Sequence, residues 1–249
     1  MTGPDLTAYR LPNTDALHGR AVALEFLDGG TLELCFRGPL VEWRADGVPW
    51  TAEGTERHDA VEVEPGTFFV DIDVSEPAHD GLSLIFSDVT GWALAVHQRR
   101  HPAADGSRGP AVRHTFAAAR LAGRGQAGPA PAPTLDLVGR WHRYRYSPGN
   151  LYEHIYVSAD RFVSHNVDTQ FTPDRADCHP VSYYRFGPDL YVVAWREFDS
   201  QAAMVMVENL RHRTATGKAL HPVSAERSVS MPVGGRILPV QVIIPEEDR

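Results

Sequence analysis

The stretch Arg143–Tyr156, RYRYSPGNLYEHIY, sets four tyrosines, a glutamate and a histidine around a Pro-Gly-Asn turn. Side chains alternate along a strand, so His142, Tyr144 and Tyr146 share one face of the leading segment. Trp141, Arg143 and Arg145 share the other. Arginines turn to water by default, which makes the tyrosine face the interior one. In Leu151–Val157, polarity leaves two assignments open. Either Tyr152, His154 and Tyr156 face inward, or Leu151, Glu153, Ile155 and Val157 do. Further on, LYVVAWRE puts Tyr191, Val193, Trp195 and Glu197 on one face, with Glu197 at the end of an apolar row.

These residue types suit proton transfer. A dry pocket raises a carboxyl pKa, by roughly 3–5 units at full burial, which would poise Glu197 as a general acid or base. Tyr144 and Tyr146 can donate hydrogen bonds to a carboxylate, a phenolate or a developing oxyanion. His154 or His165 can shuttle a proton. Trp195, Met204 and Met206 offer an apolar wall to an aromatic ring. The chemistry asks for no metal and no organic cofactor. There are twelve histidines, but no HxH or HExxH. The spacing of His154, His165 and His179 with Glu153 does not demand a metal site. No GxSxG occurs, and Cys178 has no evident activating partner beyond His179.

The elements that must position these groups read as strands. Strand signals recur about every 8–12 residues, the spacing of an all-β sandwich or barrel. AVALEF and TLELCF flank an Asp-Gly turn, and LVEWR, AVEVEP, TFFVDIDV, LSLIFSD and WALAVHQ continue the series. VRHTFAAARL reads as an eighth strand or a short helix. AGRGQAGPAPAPTLD cannot build a core and reads as a linker over 123–134. The pattern then restarts, with Gly139-Arg140 opening a hairpin as Gly19-Arg20 does. The expected architecture is two tandem lipocalin-like antiparallel barrels of about eight strands, over 1–122 and 135–249.

The two halves differ in what they bury. In register, Tyr144 and Tyr146 correspond to Leu24 and Phe26, Tyr152 to Leu32, His154 to Leu34, and Glu197 falls near Val74. Polar groups cost free energy in a core unless paired, and hydrocarbon serves the first half at the same positions. The second barrel is therefore the expected site and the first a scaffold.

Composition limits the function classes. The formal net charge is −8, which argues against nucleic acid as the main partner. No segment has the roughly 20 apolar residues that a membrane-spanning helix needs. No signal peptide is apparent at the N-terminus. The only cysteines, Cys35 and Cys178, read as small apolar strand residues, and a cytoplasmic location is the default.

GRWHRYRYSPGNLYEHIY, DLYVVAWREF and TATGKAL resemble the C-terminal domain of the MoaF family, and GRAVALEF-DGG-TLELCF with TFFVDIDV resembles its N-terminal domain. That family label implies molybdenum cofactor biosynthesis. The second half is also similar to bacterial phenolic acid decarboxylases, small dimeric lipocalin-like barrels. This resemblance implies cavity roles for Tyr144 and Tyr146 as a Tyr-x-Tyr pair, for Tyr152, for Glu197, and for an arginine near Arg175 that would clamp an anion. The chain departs from that family in having Trp-Arg-Glu-Phe where it has Trp-Thr-Glu-Pro. The expected function is a cofactor-independent lyase or isomerase (decarboxylation, dehydration or cyclisation) on a small aromatic or unsaturated molecule. A lipocalin-like binder without turnover, or an accessory protein of molybdenum cofactor metabolism, is the alternative. A homodimer is compatible with either.

Overall fold

Alternating strands joined by glycine turns give two closed antiparallel barrels of eight strands each. The computed structural model describes residues 5–48, 53–74, 80–100, 112–169, 174–198, 200–224 and 227–238. The first barrel comprises β1 (Ala21–Phe26), β2 (Thr31–Arg37), β3 (Leu40–Asp46), β4 (Glu53–Glu64), β5 (Thr67–Val74), β6 (Asp80–Ser87), β7 (Trp92–Arg100) and β8 (Val112–Leu121). Each strand pairs with the next, and β8 closes on β1. The segment VRHTFAAARL is thus a strand. A short β9 (Ala132–Pro133), within the Pro/Ala-rich stretch, pairs with β13 of the second barrel.

The second barrel comprises β10 (Trp141–Ser147), β11 (Asn150–Tyr156), β12 (Arg161–Thr169), β13 (Ala176–Gly187), β14 (Leu190–Arg196), β15 (Ala203–Asn209), β16 (Thr214–Pro222) and β17 (Ser228–Leu238). β17 closes on β10, and β12 pairs with β13. Gly19 and Gly139, which open the two leading hairpins, both have positive φ, 74° and 83°. Only glycine adopts that conformation without strain. Among the described residues no helix is long and apolar enough to cross a membrane.

The hairpin registers of the two barrels coincide. Leu24 pairs with Leu32, and Tyr144 with Tyr152. Thr67 pairs with Ser87, and Leu190 with Asn209. Counting along matched strands puts Glu197 at the position of Val74, as the sequence suggested. It also puts Tyr156 at Phe36, His142 at Val22 and Glu208 at Phe86. The first barrel fills its interior with Leu24, Phe36, Trp43, Phe68, Ile72, Leu84 and Phe86. Cys35 is partly buried on β2, whereas Cys178 is exposed on β13, so the expectation that both pack as small apolar residues fails for Cys178. Alternation turns its side chain away from the neighbouring His179, which is buried.

The barrels dock through their outer faces. Val63, Phe69 and Ile85 of the first meet Phe186, Val192 and Val207 of the second in one apolar cluster. These are matched positions, so the contact has the form of an isologous dimer interface within one chain. One polar pair breaks the symmetry. Lys218 forms an ion pair with Asp71 across the junction, and both are buried. Ser230 donates to the second oxygen of Asp71 at 2.6 Å. Gly81 makes room: a Cβ there would collide with the Lys218 amine.

Removing one member of a buried pair leaves the other charge uncompensated. Lys218→Met should therefore destabilise the protein by about 3–5 kcal/mol, and Lys218→Met with Asp71→Leu should recover most of that loss. Urea unfolding of the single and double variants checks this. Equal losses in both would show that the pair does not set the docking.

Candidate functional site

The inner faces of β10, β11, β13, β14 and β15 carry the chemistry. Tyr152, His154 and Tyr156 face inward, as strand pairing of Tyr152 with inward-facing Tyr144 requires. The opposite face of β11 holds Glu153, which accepts from Arg143 Nε at 2.7 Å and lies 3.1 Å from His165 Nδ1. His165 therefore stands on the outer face, away from the interior suggested for it. It pairs in register with Glu153, one residue out of phase with His154.

The interior groups separate into two sets along the barrel. The first is sealed. Glu208 on β15 has 0% exposure, and its Oε1 accepts from the Tyr156 hydroxyl at 2.7 Å. The Tyr156 and Tyr144 hydroxyls are 2.6 Å apart. His142 Nδ1 lies 3.2 Å from the Tyr144 hydroxyl and 3.6 Å from Glu208 Oε2. Burial pushes the Glu208 carboxyl up, but hydrogen bonding and charge from His142, with the Tyr156 and Tyr144 hydroxyls, more than offset it and hold the group below its usual range. Burial first, then the Glu208 charge, drives both tyrosines well above their usual range, so they remain neutral donors. Tyr144 is itself 0% exposed. Its hydroxyl is engaged in this network.

His154 stands between the sets. Its ring lies 4.4 Å from that of Tyr144 and 5.2 Å from that of Trp195, centroid to centroid. Burial is the main reason that its imidazole titrates at about 3, so it is neutral at pH 7. Its Nδ1 has no hydrogen-bond partner.

The second set lies at the open end. Glu197 follows β14, and its backbone N–H donates to the Ala202 carbonyl at 2.8 Å, closing a turn. Trp195 Nε1 donates to Glu197 Oε1 at 3.3 Å, and Ser200 Oγ donates to Oε2 at 2.5 Å. Tyr146 and Tyr152 face each other edge to face, ring centroids 5.4 Å apart. Burial and then the Glu197 charge raise the Tyr152 hydroxyl above its usual range. The same carboxylate contributes to the upward shift of Tyr146, after burial and the charges of Glu208 and Tyr152. Met204 lies on the inner face beside Trp195, with which it pairs, and Met206 lies deeper, paired with Val193.

Arg175 precedes β13, and its backbone carbonyl accepts from Asn166 N–H at 2.8 Å. Alternation from His179 places it on the row that continues the interior face past the barrel end. Its Nε donates to Asp177 at 2.5 Å, and its side chain is 40% exposed. The structure thus brings Glu197, Trp195, Tyr146, Tyr152 and Met204 together and leaves Arg175 at the rim. Among the described residues, no three His, Cys, Asp or Glu side chains are placed to hold a metal ion.

Glu208, Tyr156 and His142 are the residues that sequence reasoning left out of the site. Extending the barrel comparison by one hairpin finds them. LSLIFS in the first half matches MVMVEN in the second, which sets a glutamate against Phe86. The same count sets Tyr156 against Phe36 and His142 against Val22.

Comparison with known proteins agrees with the two-barrel division. A model of the MoaF N-terminal domain matches residues 3–101, and one of the MoaF C-terminal domain matches residues 131–242. Protein MoaF of Klebsiella aerogenes is 34% identical over 110 residues, 44% of this chain and 41% of that protein. The chain thus spans about two fifths of the length of that relative. A solved structure, "Crystal Structure of a putative beta-lactamase from Burkholderia vietnamiensis", shares 15% identity over 42% of this chain and 96% of its own, with a TM-score of 0.36. A likeness that low carries no argument.

A neutral buried imidazole sets an acid limit on stability. His154 titrates at about 3 in the fold, against an ordinary value of 6.5. Below pH 6.5 the unfolded chain binds protons that the folded chain refuses. Stability is therefore full above that pH and falls as pH drops toward 3. His154→Leu, which restores the residue type at the matched Leu34, should remove about one proton from this slope, roughly 1 kcal/mol per pH unit. Urea unfolding of variant and parent between pH 7 and 4.5 reads the difference; parallel curves would contradict the burial of a neutral His154.

Proposed function

The chain belongs to the MoaF family, and from the chemistry of its second barrel we propose a cofactor-independent lyase or isomerase acting by proton transfer on a small aromatic or unsaturated molecule. One observation carries this reading. Glu197 is held by Trp195 and Ser200 at the end of the inner row of β14, its charge acting on the edge-to-face pair Tyr146 and Tyr152, at positions matched by hydrocarbon in the first barrel.

The substrate ring packs on Trp195 and Met204. Tyr146 and Tyr152, kept neutral by burial, donate to its carboxylate or phenolate oxygen. Glu197 gives or takes the proton at a carbon conjugated to the ring. In a decarboxylation of a para-hydroxylated unsaturated acid, a proton taken from the phenol and relayed by Glu197 adds to the carbon that bears the carboxylate, giving a quinone methide. The bond to the carboxylate carbon then breaks, carbon dioxide leaves, and its electron pair returns through the conjugated system to the ring oxygen, which regains a proton from water. Arg175 at the rim is placed to attract the anionic substrate. Tyr144, Tyr156 and Glu208 act from below by fixing the wall on which His154 and Tyr146 sit.

A second reading, a binder without turnover, is favoured by the fact that both Glu197 oxygens already have donors. A carboxylate so anchored also suits recognition of a ligand donor group.

Incubation with a panel of hydroxycinnamic and related phenolic acids, followed by mass spectrometry, separates the two. Loss of carbon dioxide or water by the parent, reduced about 100-fold or more in Glu197→Gln with ligand affinity retained, is the expected result. Retained affinity with unchanged masses and no isomer on chromatography would leave the binder.

A further inference from the structure

A separate feature lies where the two barrels and the segment joining them meet. Phe116 on β8 stacks on Tyr184 on β13, ring centroids 4.3 Å apart and planes within 11°. The stack borders a cleft of about 360 Å³ that Pro133, Leu135, Ala159 and Ser182 also line. That volume is within the range of small-molecule sites, which favour domain junctions.

The charges at one end of this cleft do not balance. Ser182 pairs with Ala194, and two residues further along the same outward faces stand Pro180 and Arg196. Arg161 pairs with Pro180 from the other side. The two arginines thus flank Pro180 on one row, about 10 Å apart at the backbone by strand spacing, a gap that their side chains can close. The first barrel packs beside them. Val112 packs on Ala203, which pairs with Arg196, and Gln98 joins the Ala203 carbonyl to His114. Arg113, between Val112 and His114, is exposed, and alternation turns it to the opposite face of β8.

Among the described residues Arg196 forms no ion pair, and its buried Nε has no hydrogen-bond partner. Among the described residues Arg161 pairs with the adjacent, exposed Asp160. Burial and then the charges of Arg161 and Arg113 lower the Arg196 guanidinium from its usual range. Like charges gathered in a partly dry site repel, and an anion among them relieves the repulsion.

We propose that this junction binds a planar organic anion, with its ring along the Phe116–Tyr184 stack and its carboxylate, sulfonate or phosphate on Arg196 and Arg161. The site lies on the outer face of β13 and β14, on the far side of the barrel wall from Glu197 and Tyr152. It does not depend on the activity proposed above.

Calorimetric titration of the full chain with naphthalene-2-carboxylate tests this, with neutral naphthalene-2-methanol as the control. The expected result is saturable binding of the carboxylate that weakens with added salt. Arg196→Gln should weaken it by about tenfold or more, as loss of a charge-assisted contact does. Arg161→Gln, a change at a half-exposed residue that leaves the core intact, should weaken it by at least about threefold. Tyr152→Phe, in the barrel, should leave it within about twofold. Equal affinity for the neutral analogue, indifference to both arginine substitutions, loss of binding in Tyr152→Phe, or no saturable heat would each overturn the proposal.

Discussion

A carboxylate with no exposed surface can persist only where donors surround it, and Glu208 is such a group. Its position on β15 places it inside a closed barrel, where water cannot take the role of donor. The Tyr156 hydroxyl satisfies one oxygen, Tyr144 passes the chain on, and His142 stands beside the other. Each of these residues holds a place that hydrocarbon fills in the first barrel. The ring stack of the interior follows from the same requirement. Tyrosines and histidines bring both a donor and a large apolar body, so Glu208 Oε1 gains its donor without loss of packing, while Oε2 has the His142 ring near it but no hydrogen-bond partner.

That network explains why the site has two levels. Tyr144 is taken up by the sealed chain, while Tyr146, one turn of the alternation further along β10, faces the open end. Glu197 closes the row on β14, where the strand ends and the turn to Ala202 brings Ser200 against it. A rigid lower wall and a polar upper rim are what a pocket needs if it is to hold a small ring in one orientation. Neutral His154 in the middle adds an unpaired nitrogen without adding charge.

The duplication has a consequence for the outer surface as well. Two barrels with the same apolar outer face cover each other, as two copies would in a dimer. The buried Asp71–Lys218 pair then fixes one relative placement, because any slip would strand both charges. Docking in turn creates the junction where β8, β13 and the Pro/Ala-rich segment meet.

Much of this was legible from residue order alone. Alternation, glycine turns and the restart at Gly139 pointed to two antiparallel barrels, because strand periodicity is local. Comparison of the halves pointed to the second barrel as the polar one and to Glu197 at the end of an apolar row. Side-chain partners were not legible. The phase of β11 was undecided by polarity, and pairing with β10 resolved it, which also sent His165 outward. Glu208 lies 52 residues from the Tyr156 hydroxyl that holds it, and Asp71 even further along the chain from Lys218. Which polar groups are sealed and which meet solvent depends on barrel closure and docking. The amino-acid sequence by itself determined the strands, their period and the chemical contrast between the halves. Only the tertiary structure decided the partners, because hydrogen bonds and burial between distant strands arise when the sheets close.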